Sequence, residues 1–196
     1  MELYIIRHGK TYWNAEGLLQ GSTDIELNSE GREAAGQLGR KLEELDFDYI
    51  YSSPLIRAYE TACLIRGHRN IQIIRDDRLK EISFGEREGK SYFEFKAPGS
   101  RYESFFSAPQ NYLPPEGGET FQQVIERTKS FLIEEIEPKV SKCHRIMIVA
   151  HGALNKGLMY NIRKSSIENY WYPELQKNCE ASIFNFDGKK WITIKD

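Results

Sequence analysis

Met1-Glu2-Leu3-Tyr4-Ile5-Ile6-Arg7-His8-Gly9-Lys10-Thr11 opens the chain, and Leu3 to Ile6 form an unbroken run of strand-forming residues. A short apolar run without polar alternation predicts a strand buried on both faces, as in a parallel sheet. Three further runs read the same way: Asp48-Tyr49-Ile50-Tyr51, Ile71-Gln72-Ile73-Ile74 and Ile146-Met147-Ile148-Val149. Helical spacing separates them. From Asn28 to Leu45 the residues Ala34, Ala35, Leu38, Leu42 and Leu45 recur at helical intervals behind a capping Asn28 or Ser29. Ser53-Pro54 predicts a second helix start, a capping hydroxyl followed by proline. The longest helix is expected from Thr120, with Phe121, Val124, Ile125, Thr128, Phe131, Leu132 and Ile136 on one face and Pro138 ending it. Ser182–Phe186, Asp187-Gly188 and Trp191–Ile194 predict a C-terminal β-hairpin. Buried strands alternating with helices give an α/β three-layer sandwich, a mostly parallel central sheet flanked by helices. Residues 1–196 read as one domain.

The chain has 196 residues, 40% hydrophobic and 29% charged, enough to build a core without disulfides or metal. With 27 basic and 29 acidic residues the net charge is −2, so no global field favours nucleic acid or an anionic membrane. Cys63, Cys143 and Cys179 are widely spaced and form no Cys-x-x-Cys pair, which argues against a disulfide framework and fits a reduced, cytoplasmic setting. No stretch approaches the ~18 apolar residues that span a bilayer. Residues 82–118 differ from the rest: four of the seven prolines, five glycines and eight aromatics in one weakly periodic connection. Such a segment reads either as a cap over a site or as a satellite core.

In open parallel sheets ligands bind beyond the carboxyl ends of the strands. Arg7, His8, Gly9 and Asn14 follow the first strand, Ser53 and Arg57 the second, Glu81 the third, and His151 and Gly152 the fourth. Two arginines, two histidines and a carboxylate converging on one rim suit phosphoryl transfer. Arginine forks bind phosphate oxygens in pairs. Gly9 would let the backbone approach the anion, and amides after Ser53 would orient it. A neutral histidine can attack phosphorus, and a carboxyl such as Glu81 can protonate the departing oxygen and then activate water. Asn14 reads as a turn cap or a phosphate ligand. His68 and His144 read as exposed or structural, and Cys63 and Cys179 as small core residues.

The segments Arg7-His8-Gly9-Lys10-Thr11-x-x-Asn14 and Gly17-Leu18-Leu19-Gln20-Gly21 resemble the opening motif of the histidine phosphatase superfamily, which includes the phosphoglycerate mutases. Later segments continue the likeness in order: Leu27–Gly31, Ser52-Ser53-Pro54-Leu55-x-Arg57-Ala58, Leu79-Lys80-Glu81, Phe84-Gly85-x-x-Glu88-Gly89, Glu116–Thr120 and Val149-Ala150-His151-Gly152. The resemblance implies that His8 is the phosphorylated nucleophile and Glu81 the proton donor, with His151 as their catalytic partner in the phosphate pocket. It implies a phosphate and substrate site from Arg7, Asn14, Gln20, Gly21, Arg57 and Gly152, no metal and no cofactor, with 82–118 as the insert over the site. Two positions depart from the pattern. Lys10 stands where Glu or Gln is usual, and it either adds charge at the pocket mouth or points to solvent. Arg87 stands where many relatives carry a large aromatic.

The superfamily supports both ester hydrolysis and mutase chemistry. A mutase must seat a second anion, yet residues 82–118 hold only Arg87, Lys90, Lys96 and Arg101 against five glutamates. The eight aromatics fit an apolar or flat alcohol instead. Together with Phe105–Gln110, which resembles the insert of broad-specificity bacterial phosphatases, this leads to a phosphomonoesterase acting on a small-molecule phosphate monoester. A cofactor-dependent phosphoglycerate mutase is the second reading, and a non-catalytic phosphate-ligand binding protein the third. The hairpin offers a strand edge on which two copies could form a homodimer.

Overall fold

The computed structural model describes residues Met1–Asp196. Six strands form one sheet: β1 (Glu2–Arg7), β2 (Tyr49–Ser52), β3 (Ile73–Arg75), β4 (Arg145–Ala150), β5 (Ala181–Phe186) and β6 (Trp191–Lys195), in the order β3-β2-β4-β1-β5-β6. β1 to β4 are mutually parallel where they pair, and β5 and β6 add antiparallel. The mostly parallel sheet and the C-terminal hairpin therefore stand as expected.

The two-residue period of β1 explains the layering. Leu3 and Ile5 join one core with Ile146 and Ile148 of β4, against helices α6 (Phe121–Phe131) and α7 (Gly152–Arg163). Tyr4 and Ile6 point the other way, with Met147 and Val149, and meet Ala58, Ala62 and Ile65 of α3 (Ile56–Arg66) and Leu38 of α2 (Ser29–Lys41). Shorter helices, α1 (Tyr12–Glu16), α4 (Tyr92–Lys96) and α5 (Ser104–Ser107), lie outside these layers.

α2 starts at Ser29 under an Asn28 cap, whose side chain accepts from Gly31 N–H at 2.8 Å. α6 starts under Thr120 with a reciprocal bond from Gln123, and its run widens into a π turn over Leu132–Ile136 before a last turn containing Pro138. The start of α3 corrects the expectation. Pro54 precedes the helix, which begins at Ile56, and the Ser53 hydroxyl accepts from Leu55 N–H at 3.3 Å, one residue short of the helix, while also meeting His151. Asp24, 32 residues upstream, caps the free Ile56 amide at 2.7 Å. β3 is also displaced, because Ile71 is held in a turn by Arg69 and only Ile73, Ile74 and Arg75 pair with β2. No helix is long and apolar enough to cross a membrane.

Segment 82–118 serves the core directly. Phe84, Phe95, Tyr102, Phe105 and Tyr112 are buried in the larger cluster, and Phe95 stacks on Tyr102 at 4.8 Å. Phe93 remains exposed.

Candidate active site

A cavity of about 100 Å³ opens at the carboxyl ends of β1 and β4, and Arg7, His8, Asn14, Gln20, Gly21, Arg57, Glu81 and Gly152 line it. Thus eight of the nine predicted positions reach one wall. The ninth, His151, lies behind His8, ring centroids 5.1 Å apart and planes tilted by 59°. Size alone would point elsewhere, since a groove of about 1020 Å³ between α6, α7 and the hairpin contains none of these residues.

His8 follows β1, and its amide donates to the Ala150 carbonyl of the neighbouring β4 at 2.9 Å. The ring is 3% exposed, with Nδ1 2.7 Å from the Gly9 carbonyl oxygen. A carbonyl only accepts, so Nδ1 carries the hydrogen and the neutral ring keeps its lone pair on Nε2. Burial, then the positive charges of Arg57 and Arg7, hold the His8 imidazole well below its ordinary pKa. His151 is buried as well. Its Nε2 meets the Ser53 hydroxyl at 2.8 Å, its Nδ1 has no partner, and burial followed by Arg57 pushes its pKa down.

Arg57 is wholly buried on the first turn of α3. It donates to the carbonyls of Thr23 at 2.8 Å and Gly21 at 2.7 Å, and its Nε has no protein partner. Burial pulls this guanidinium down to about 10. Arg7, whose pKa burial also lowers, donates to the Gln176 carbonyl at 2.6 Å and likewise leaves Nε unpartnered. Both side chains are thus oriented by carbonyls and neutralised by no carboxylate contact. One buried and one partly buried guanidinium beside a neutral histidine, none in contact with a carboxylate, have the charge and donors that suit a small dianion.

Glu81 faces them. Its carboxylate accepts from Leu154 N–H at 2.9 Å and Ala153 N–H at 3.2 Å, at the N-terminal turn of α7. The approach to it is fixed by Arg127, which donates to the Lys80 carbonyl at 2.7 Å and pairs with Glu119. Both helix starts border the cavity, α3 through Arg57 and α7 through Gly152 and Ala153, but the amides expected after Ser53 are taken: Leu55 N–H donates to Ser53 Oγ and Ile56 N–H to Asp24. Asn14 is the turn cap expected of it and also borders the cavity, its Oδ1 accepting from Thr11 N–H at 3.2 Å. Gln20 accepts from the Thr11 hydroxyl at 3.0 Å. Gly21 sits at φ +52°, where a Cβ would meet Glu88 Oε1 at 2.1 Å, so glycine is required there to seat the carbonyl that Arg57 uses.

Two sequence readings change, those of Gly9 and the cysteines, and that of Lys10 is settled. Gly9 does not owe its place to a bound anion: its face meets the Gly31 backbone, and its amide donates to Thr61 Oγ1 at 3.0 Å. Lys10 pairs with Glu30 at 2.7 Å at the surface and does not line the cavity. Cys63 and Cys179 are only partly buried, and Cys143 is the buried cysteine. His68 and His144 are exposed. Sequence reasoning missed Gln176, the partner of Arg7, and Asn178, whose side chain donates to the His8 carbonyl at 2.9 Å. It also missed Ser53 as the partner of His151.

The remaining wall is apolar: Leu18, Leu19, Phe84, Tyr92, Phe105, Phe106, Ala153, Trp171 and Leu175. No Lys lines the cavity, and no Arg besides Arg7 and Arg57. Within the 82–118 segment, Arg87 reaches towards Glu94 at 3.8 Å, and Lys96 lies 4.9 Å from the ring of Tyr92, a lining residue, without lining the cavity itself. No group of three or more His, Cys, Asp or Glu side chains is arranged to hold a metal ion.

Residues 3–195 match the family profile of the histidine phosphatase superfamily (branch 1). A putative phosphoserine phosphatase 2 of Hydrogenobacter thermophilus is 33% identical over 190 residues, covering 96% of this chain and 91% of that protein. A 2,3-bisphosphoglycerate-dependent phosphoglycerate mutase of Parvibaculum lavamentivorans is 32% identical, covering 99% and 94%. Among solved structures, Bacillus stearothermophilus YhfR superposes with a TM-score of 0.86 at 33% identity, covering 100% of this chain and 96% of that one.

Proposed function

We propose that this chain, which belongs to the histidine phosphatase superfamily, is a phosphomonoesterase that passes the phosphoryl group of a small ester through His8 to water. Membership and the phosphatase-named relative support phosphatase chemistry. The observation that carries the finer reading is the pairing of a neutral His8, its Nε2 left free by the Gly9 carbonyl, with the buried Arg57 and the partly buried Arg7, neither of which contacts a carboxylate.

In the first step Nε2 forms a bond to phosphorus while the P–O bond to the alcohol breaks. Protonated Glu81 gives its proton to the departing oxygen, leaving phosphohistidine, free alcohol and a carboxylate. In the second step Glu81 takes a proton from water, the hydroxide attacks phosphorus, and the N–P bond returns its electrons to Nε2. Arg7 and Arg57 hold the non-bridging oxygens and stabilise charge in the loose transition state. His151 packs against His8 and keeps an unpartnered Nδ1. Gln20, Asn14 and the α7 turn at Gly152 complete the receptor, and segment 82–118 caps it.

The mutase-named relative raises the alternative of isomerisation. That reaction needs a seat for a second anion, and the alcohol half of the cavity has no cation to supply one. A phosphate-release panel with phenyl phosphate, sugar phosphates and 3-phosphoglycerate tests the proposal. Release from monoesters and an acid-labile phosphoenzyme that disappears in His8→Ala are expected. Isomerisation of 3-phosphoglycerate with no phosphate released, or full turnover by His8→Ala, would overturn it.

A further inference from the structure

Between α7 and β5, residues 170–180 run past the cavity as a strap with no helix or strand of its own after a turn at Ile167–Asn169. It touches the site at Arg7, His8 and the apolar wall. Trp171 and Leu175 line the apolar wall, and the Trp171 indole donates to the Phe105 carbonyl at 2.6 Å, joining the strap to the aromatic cap. The Gln176 carbonyl accepts from Arg7, the Asn178 side chain donates to the His8 carbonyl, and Cys179 N–H donates to the Arg7 carbonyl at 2.9 Å.

What holds this strap from inside is a lysine. Lys156, on α7, is 2% exposed, and its ammonium donates to the successive carbonyls of Pro173 at 2.5 Å and Glu174 at 2.8 Å. Next to it Asn155 donates to Gln176 Oε1 at 2.8 Å, and Gln176 Nε2 donates to the Ile5 carbonyl at 2.9 Å. A buried ammonium is unfavourable unless well bonded, and an apolar side chain of the same length would fill this space without that penalty. What the apolar chain would not do is grip two carbonyls of the strap. The lysine ties those two carbonyls of the strap to α7.

We propose that Lys156 is a positioning residue, its ammonium holding the strap where the Gln176 carbonyl fixes Arg7 and where Trp171 and Leu175 close the cavity. The inference rests on the phosphate-site reading above. The charged groups facing the amine are Arg163 from α7 and Glu180 from the approach to β5, while Glu174 keeps its own side chain exposed. Burial, with Arg163 adding to it, pulls Lys156 down to about 8. Above that pH the amine keeps two N–H groups but loses the charge that strengthens its bonds, so the grip loosens without vanishing.

Calorimetric binding of inorganic phosphate to the whole chain tests this without requiring turnover. Lys156→Met is expected to raise the phosphate Kd about tenfold at pH 7.5, the order of one lost orienting bond. Lys156→Gln, which keeps a donor for one carbonyl, is expected to fall between. From pH 7.5 to 9.5 the Kd of the unaltered protein should rise a few-fold more than that of Lys156→Met, whose own profile corrects for the ionisation of phosphate. An unchanged Kd in a folded Lys156→Met, or parallel pH profiles, overturns the proposal. Should neither variant fold, amide exchange in the unaltered protein decides. After correction for intrinsic rates, residues 175–179 should lose protection relative to β1 at pH 9.5, and a constant ratio overturns it. A protein that binds phosphate as described yet hydrolyses no monoester sinks the proposed function and leaves the strap standing. Hydrolysis with phosphate binding indifferent to Lys156 does the reverse.

Discussion

Gly9 and Gly31 meet backbone to backbone: a Cβ built on Gly9 would lie 2.6 Å from the Gly31 carbonyl oxygen. The loop carrying His8 is thereby pressed onto the first turn of α2. This contact, rather than access for an anion, explains why position 9 carries no side chain. Gly9→Ala is expected to destabilise the fold by about 1–3 kcal/mol, the usual range for an overpacked interior. It should also lower turnover more than it lowers stability, because the Gly9 carbonyl sets the His8 tautomer. Urea denaturation beside kcat on phenyl phosphate checks both. Alanine tolerated at wild-type stability would mean that the loop can shift.

Much of this site was legible because its chemistry sits at strand ends, and the strands announce themselves. Leu3–Ile6 and Ile146–Val149 are buried on both faces, so their unbroken apolar runs place Arg7, His8, His151 and Gly152 on one rim. α7 was not legible, for another reason. Nine of its twelve residues are buried, the polar Asn155 and Lys156 among them, so polarity in Gly152–Arg163 does not mark a solvent face. Gln176 was illegible for a different reason. Its contact with Arg7 is made by a backbone carbonyl, which any residue possesses, and the strap that carries it has no periodicity. Ser53 was visible as a hydroxyl before a proline, a pattern that fits a helix cap, and only the fold shows it facing His151.

Glu88 organises the far side of the pocket without lining it. Its carboxylate accepts from Ser22 N–H at 2.9 Å, Thr23 N–H at 2.8 Å and Phe84 N–H at 3.0 Å, as well as from the Thr23 hydroxyl. Burial opposes its charge, but the bonds from Thr23, Ser22 and Phe84 hold the carboxyl below its ordinary range. The loop so folded presents the Gly21 and Thr23 carbonyls that aim Arg57. Glu88→Ala should raise KM about tenfold or more and cost about 1–3 kcal/mol through amides left unpaired. Glu88→Gln, with one acceptor oxygen left, should lie between. Unchanged KM in a folded Glu88→Ala would detach this loop from the placement of Arg57.

The depressed histidines make a prediction about acid. For both His8 and His151 the folded pKa lies below the unfolded value of 6.5, so below pH 6.5 the unfolded chain binds more protons. Stability is then fully present above pH 6.5 and declines as pH falls towards the folded values, by up to about 1.4 kcal/mol per pH unit for each histidine. Urea midpoints between pH 6.5 and 5.0 measure this above the range in which most carboxylates titrate. His151→Gln should reduce the slope by about half, since one of two such groups is removed. A flat profile in the parent protein would show that the rings ionise freely in the folded state.

The apolar half of the cavity makes the sharpest demand on substrate. Leu18, Tyr92, Phe106, Trp171 and Leu175 offer no counter-charge to an alcohol carrying its own anion, and desolvating such a group there would be unfavourable. Phenyl phosphate should therefore exceed 3-phosphoglycerate in kcat/KM by at least about tenfold, some 1.4 kcal/mol in transition-state binding. Leu175 is 37% exposed, so a longer charged chain can be accommodated there with its stem on the wall and its head at the mouth. Leu175→Arg should narrow or invert the preference by improving 3-phosphoglycerate, leaving the chemical step on phenyl phosphate within a few-fold. The gain should shrink in 0.5 M salt, because it comes from an exposed charge pair. If the parent protein already prefers the second anion, a cation must reach the alcohol from outside the cavity wall, and the 82–118 segment with Arg87 and Lys96 would be the place to look for the movement that brings it.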